Sequence, residues 1–233
     1  MIKKLDWDSN FFGYNIGRLD LYRSVFQPSD IYNLDSFDLI YLYAHEEVEN
    51  KEELPKPFTK IIFSKKLEEF YSSPSLKHEN IYNINNKNIN NKEKQKLINL
   101  SYQSGIYSRF KLDEKFSDNE FEKLYQKWIE NSLSKKIADR VFVCKKENEI
   151  VGFVTLRLRN KKSVIGLIAV DEKYRGVGIG SKLLDTAKIF AEKEKCKYLE
   201  VATQLQNKPA CNFYLNNGFF KKEVIHIYHL WNQ

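Results

Sequence analysis

The chain has 233 residues, 42% hydrophobic and 30% charged, with a formal net charge of +7. That length buries one sizeable core, or a core and a smaller satellite. No apolar run approaches the ~20 residues of a membrane span, and MIKKLDWDSN lacks the apolar stretch of a signal peptide.

Cys144, Cys196 and Cys211 are odd in number and widely spaced, with no CxxC. This usage points to a reduced cytoplasm and away from a zinc site, so no metal is expected. The charge is uneven. Residues 1–88 carry 11 Lys+Arg against 14 Asp+Glu, or −3, and residues 89–233 carry 27 against 17, or +10. A positive second half suits a small polyanion. Its lysines are scattered over outward helix faces rather than gathered with aromatics, which argues against nucleic acid.

In chain order, residues 1–80 read as short strands and connections: FFGYNIGRLDLY, FDLIYLYAHE and FTKIIFSKKL, punctuated by Pro28, Pro55, Pro57 and Pro74. The run NINNKNINNKEKQK (83–96) has the composition of a linker, so the chain is expected to divide at 80/81. KEKQKLINLSYQSG predicts a helix ending near Gly105. Ser117-Asp-Asn-Glu120 reads as a capping box, followed by Phe121, Leu124, Tyr125, Trp128 and Ile129 at the spacing of one helical face.

RVFVCKK, IVGFVTLRLRN and SVIGLIAV then predict three strands, joined by turns at Asn148 and at residues 160–162 into an antiparallel meander. YRGVGIGSKLL (174–184) opens a helix whose Leu183, Leu184, Ala187, Phe190 and Ala191 share one face. KYLEVATQ predicts a strand, NKPACNFYLNN a short helix closed by Gly218, and VIHIYHLW a last strand. The order ααβββαβαβ implies an α/β fold, a mixed sheet with helices on its faces.

Gly176, Gly178 and Gly180 are spaced G-x-G-x-G, whereas a dinucleotide fingerprint needs G-x-G-x-x-G. A Walker loop needs Gly-Lys-Ser/Thr, and here Gly180 is followed by Ser181-Lys182. What remains is R-x-x-G-x-G between a strand and a helix. There the backbone curls until several N–H groups converge, the helix dipole adds to them, and Arg175 brings a full charge. Such a nest holds a pyrophosphate; a glycine-rich turn without a ligand is the plainer alternative. Further on, Asn207 is a natural N-cap, with Ala210 and Tyr214 on its helix face. The small Ala210 leaves room for a ligand chain and exposes the phenol beyond it. A core tyrosine behind a small residue is the alternative here.

Together the two motifs resemble the GNAT superfamily of acyl-CoA N-acyltransferases. R-x-x-G-x-G matches its pyrophosphate loop, and N-x-x-A-x-x-x-Y-x-x-x-G-F its coenzyme A helix with the catalytic tyrosine. DWDSNFFGYNIGRL, YSRF with the helix ending WIENS, and IGLIAV are similar to the dTDP-fucosamine acetyltransferase group. That group N-acetylates dTDP-4-amino-4,6-dideoxy-D-galactose for surface polysaccharide. The resemblance implies a GNAT fold: a central mixed, mostly antiparallel sheet splayed around acyl-CoA, with a small N-terminal α/β part. It also implies a catalytic domain over 81–233, an acceptor-side part over 1–80, a cytoplasmic homodimer, and acetyl-CoA as cosubstrate.

By the same resemblance, backbone groups of Leu167, Ile168, Ala169 and Val170 bind the pantetheine and acetyl carbonyl. Arg175, Gly176, Val177, Gly178, Ile179 and Gly180 hold the pyrophosphate, and Asn207 contacts the pantetheine arm. A free amine attacks the thioester directly, so no acyl-cysteine at Cys211 is required. A backbone N–H in or next to Leu167-Ile168 stabilises the oxyanion, and Tyr214 protonates the departing thiolate. On the acceptor side stand Tyr107, Arg109 and Phe110, then Asn131 on the following helix, and Asp8 and Phe12 from the N-terminal part. A guanidinium suits a nucleotide diphosphate, with a surface ion pair the alternative for Arg109 and core packing for Phe12. His45, Glu46 and Glu47 end a predicted strand and are candidates for the base, with a solvated acidic strand end the plainer alternative. Two readings compete: the same fold acting on a protein N-terminus, polyamine or antibiotic amine, and a non-catalytic acyl-CoA sensor.

Overall fold

The computed structural model describes the chain except residues 32, 33, 51, 53, 69–77, 118 and 233 and the side chain of Leu34. Its contacts group into two units. The first is Met1–Ile62 with Thr203–Lys208 and Lys221–Gln233; the second is Phe63–Ala202 with Pro209–Phe220. The contacts thus divide the chain differently from the 80/81 boundary that composition suggests, because two late segments return to the first unit.

The first unit contains β1 (Lys3–Lys4), α1 (Asp6–Phe12), β2 (Ile16–Leu21), β3 (Leu39–Ala44), the start of β4 (Phe58–Lys66) and nearly all of β10 (Phe220–Trp231). β2 runs parallel to β3, and β10 runs antiparallel to it, with Trp231 opposite Leu39 and His226 opposite Ala44. Leu19, Leu21, Phe26, Ile40, Leu42, Val48 and Tyr228 form its core. FFG, expected in a strand, instead closes α1. Gly13 takes φ 77° there and donates to Ser9 O, a left-handed stop that a side chain would resist.

The second unit contains β5 (Ile81–Ile84), α2 (Asn91–Ser104), α3 (Arg109–Leu112), α4 (Glu120–Leu133), β6 (Arg140–Lys146), β7 (Glu149–Arg159), β8 (Lys162–Val170), α5 (Ile179–Lys193), most of β9 (Tyr198–Gln204) and most of α6 (Lys208–Asn216). Strands β5 to β8 pair antiparallel in sequence order, and β8 pairs parallel with β9. The sheet is therefore mixed and mostly antiparallel, as the sequence predicts. Both meander turns place two residues at positive φ, Glu147 and Asn148 at 50° and 64°, Asn160 and Lys161 at 43° and 61°. This backbone twist matches that of the flanking strands.

Leu97, Ile98 and Leu100 of α2 and Ile129 and Leu133 of α4 pack on Val141, Val143, Ile150 and Phe153 of the sheet. Phe142, next to Val143 and so on the opposite face, meets Phe190 of α5 with ring centroids 6.0 Å apart. The five apolar residues predicted along α5 are all buried.

The linker-like run 83–96 holds the end of β5, a turn and the start of α2. Its asparagines replace missing backbone partners: Asn88 Oδ1 accepts from Asn85 N at 2.6 Å and Asn85 Oδ1 from Lys87 N at 2.8 Å. Asn90 and Glu93 form a reciprocal capping box on α2. The box expected at Ser117 forms only in part. Ser117 N donates to Glu120 Oε2 at 2.7 Å, but the N-cap position belongs to Asn119 at φ 71°, whose side chain makes no cap bond.

Candidate active site

The site begins at an irregularity between β7 and β8. Val154 stands opposite Ile168 but Leu156 stands opposite Ile165, so Thr155 faces two residues, Gly166 and Leu167. This is a β-bulge. Beyond it, Asp171 N donates to Val151 O at 2.9 Å. Counting back by alternation, Ala169 also faces β7, while Ile168 and Val170 turn their N–H and C=O groups the other way. On that other side β9 pairs only with Lys162 to Ile165. The two strands stop pairing where the bulge begins, which opens an edge of bare backbone.

Of the four residues expected to bind pantetheine and acetyl groups, then, Ile168 and Val170 turn their N–H groups to the open edge, while the Val170 carbonyl is taken by Arg175 Nε. Leu167 N–H is committed elsewhere, donating to Thr155 Oγ1 at 2.9 Å. Ala169 is paired with Phe153.

Eight residues on, the chain turns into α5. Gly176 and Gly178 take φ 81° and 83° with nothing within 4 Å of an added Cβ, so their need for glycine is conformational. Gly178 is the N-cap, and the first bond of the helix runs from Lys182 N to Gly178 O at 3.1 Å. The N–H groups of Ile179, Gly180 and Ser181 are therefore left without an intrahelical acceptor, at the positive end of a 15-residue dipole. Val177, at the apex, is 68% exposed. Gly180 serves a different need: a Cβ there would lie 3.0 Å from Phe213 Cζ.

Arg175 is less free than its sequence position suggests. Its Nε donates to Val170 O at 3.0 Å and its NH2 to Gln103 Oε1 at 3.3 Å. The guanidinium thus braces the loop against β8 and α2 while keeping donors to spare. A second brace was not legible in sequence. Lys96 Nζ of α2 lies 2.6 Å from Asp171 Oδ2, and Asp171 Oδ1 accepts from Lys173 N at 3.1 Å. The Lys96 hydrogen bond holds the Asp171 carboxyl below its ordinary range. No local pattern announces a pair separated by so many residues; only the fold brings α2 to the loop.

Tyr214 lies on α6, and its neighbour Phe213 rests against Gly180 at the start of α5. The expectation of an exposed phenol is corrected: Tyr214 is 4% exposed, and Phe63, Phe213 and Phe219 surround its ring at 5.5, 5.5 and 5.7 Å. Burial pushes its hydroxyl far above the ordinary phenol range. Such a group holds its proton more firmly than a free phenol does. Asn207 directly precedes α6 and groups by contacts with the first unit.

The acceptor-side residues divide between units. Asp8 and Phe12 lie on α1 of the first unit, where Phe12 is buried core. Tyr107, Arg109, Phe110 and Asn131 are in the second. Arg109 is 8% exposed with its guanidinium 4.2 Å from the Phe110 ring centre. Phe110 packs on Phe116 and Trp128. Asn131 is in the last turn of α4, where its carbonyl accepts from Lys136 N at 2.8 Å. His45, one of the three candidate bases, has Nδ1 3.1 Å from Glu223 Oε1 and Nε2 3.1 Å from Asp20 Oδ1. Both ring nitrogens thus lie against carboxylates of its own unit.

An opened strand edge beside a glycine-rich helix mouth, on a mixed sheet with helices on both faces, is the architecture of the GNAT acetyltransferases. Residues 104–219 match the Acetyltransferase (GNAT) family, and the chain carries the GNAT fold. Among solved structures it superposes on a putative GNAT-family acetyltransferase from Novosphingobium aromaticivorans DSM 12444, with a TM-score of 0.52 and 13% identity, covering 84% of this chain and 75% of that one. It is 27% identical over 135 residues to the spore coat polysaccharide biosynthesis protein SpsD of Bacillus subtilis (strain 168), covering 58% of this chain and 46% of that protein. It is 33% identical over 69 residues to N-alpha-acetyltransferase 30 of Saccharomyces cerevisiae, covering 30% of this chain and 39% of that protein. The matched stretches span less than half of either relative. No helix among the described residues is long and apolar enough to cross a membrane.

Proposed function

We propose that the chain is an acetyl-CoA-dependent N-acetyltransferase whose acceptor is the 4-amino group of a dTDP-4-amino-4,6-dideoxyhexose. The observation that carries the acetyl-transfer part is the set of donors within one unit: the Ile168 and Val170 edge, the α5 mouth, and Tyr214 on the helix that leans on Gly180. In this reading the diphosphate of acetyl-CoA lies on the N–H groups of Gly176 to Ser181. The neutral amine attacks the thioester carbonyl, the C–S bond breaks, and the carbonyl oxygen is held by Ile168 N–H through the tetrahedral stage. Tyr214 Oη donates to the departing sulfur. Water carries off the proton of the amine.

The sugar-nucleotide acceptor draws its support from the N-terminal resemblance and from the polysaccharide role named for the Bacillus subtilis relative. Within the second unit, Tyr107, Arg109, Phe110 and Asn131 are the residues proposed to face it. A protein N-terminus is a second reading, favoured by the similarity to N-alpha-acetyltransferase 30. Thiol release from acetyl-CoA, measured with dTDP-4-amino-4,6-dideoxyhexoses, peptides with free N-termini and polyamines, tests both. Turnover confined to the sugar nucleotide is expected. Turnover confined to peptides would replace the acceptor and keep the chemistry, and no turnover with any amine would remove the catalytic reading.

A further inference from the structure

We infer that Thr155 is the residue that sets the β8 bulge and thereby positions the backbone donor for the oxyanion; its catalytic part rests on the acetyl-transfer reading above. The argument starts from register. If the pairing of Leu156 with Ile165 continued without interruption, Phe153 would stand opposite Ile168, and the backbone groups of Ile168 would point at β7. The observed pairing is Phe153 with Ala169. One extra residue has flipped the side that each later residue presents. The bulge is thus what turns Ile168 N–H to the open edge.

A bulge leaves backbone groups out of the ladder, and a buried orphan N–H costs free energy. Here the Thr155 hydroxyl takes that place, accepting from Leu167 N at 2.9 Å. Thr155 is 2% exposed, so no bulk water competes for that N–H. Gly166 completes the arrangement from the other strand: a Cβ there would lie 2.9 Å from Thr155 Oγ1. The pair is matched, a side-chain acceptor on β7 and a bare residue on β8. Valine has nearly the shape of threonine but no acceptor, so it leaves Leu167 N–H unpaired and favours the unbulged register. Thr155 touches no reacting atom in this account; it acts through Ile168.

The test compares Thr155→Val with Thr155→Ser, each verified as folded by circular dichroism, with Gly166→Ala approaching the same bond from β8. Thr155→Val is expected to lower kcat by about tenfold to a hundredfold, the cost of a misplaced group, and to change KM for acetyl-CoA by less than about threefold. Thr155→Ser keeps the oxygen and is expected to restore most of kcat. By NMR, the Leu167 amide should exchange at least about tenfold faster in Thr155→Val and stay protected in Thr155→Ser. Gly166→Ala should share the kcat loss. Wild-type kcat in Thr155→Val, or a Ser variant as impaired as the Val variant, overturns the inference, the latter assigning Thr155 to packing through its methyl group. If the unsubstituted protein releases no thiol with any amine, the acetyl-transfer reading and the catalytic role fall together. The amide exchange then still decides whether Thr155 holds the bulge.

Discussion

Tyr214 carries a hydroxyl on a ring hemmed by three phenylalanines, and that setting decides what it can do. A buried phenol with a raised pKa gives up its proton reluctantly but remains a donor over the whole working range. Tyr214→Phe is expected to lower kcat by about 10²–10⁴, the range of a lost general acid, with little change in KM for acetyl-CoA; unchanged steady-state turnover would remove Tyr214 from the role. The tyrosine was legible in sequence, because its spacing from Asn207 and Gly218 belongs to a motif. Its burial stood there only as the alternative reading, since Phe63 comes from a distant strand. Thr155 is the opposite case. Inside IVGFVTLRLRN a threonine is one more β-former, and only the register reveals what its hydroxyl accepts.

At the scale of elements, the loop from β8 to α5 is fixed by two different means. Its curl depends on glycines in left-handed conformation, and Gly178→Ala meets no steric neighbour but must hold φ near 83°. The expected cost is about 1–2 kcal/mol of stability in urea unfolding, with weaker acetyl-CoA binding by calorimetry because the N–H groups no longer converge. Its base is tied to α2 through Lys96 and Asp171. A carboxyl whose folded pKa lies below its unfolded value, about 3.9, stabilises the fold above that value and ceases to do so as pH falls through the folded one. Asp171→Asn should therefore cost on the order of 1 kcal/mol at neutral pH, discounted for the part-open lysine. The difference from wild type should shrink as pH falls below the ordinary carboxylate range; a difference independent of pH would mean packing rather than charge. The glycine loop and the meander turns could be read from spacing and turn residues. The asparagine run could not, because the same residues serve linkers and hydrogen-bonded turns, and only the partners at Asn85, Asn88 and Asn90 distinguish the two.

For the whole molecule, the chain crosses between its two units repeatedly. Residues 1–80 taken alone lack β10, so β3 would lose its antiparallel neighbour from Leu39 to Ala44 and expose a hydrophobic edge. A fragment of residues 1–80 is expected to show no cooperative unfolding and no dispersed amide spectrum, whereas a folded fragment would mean that β10 is dispensable. Composition could not foresee this, because nothing in VIHIYHLW states which strand it will join. The pairing of Trp231 with Leu39 has a kinetic side as well. A contact spanning most of the sequence closes slowly, since a long loop must be ordered before any bond rewards it. During synthesis the N-terminal unit emerges first yet waits for the final strand, and until then β3 is the surface most in need of shelter from self-association.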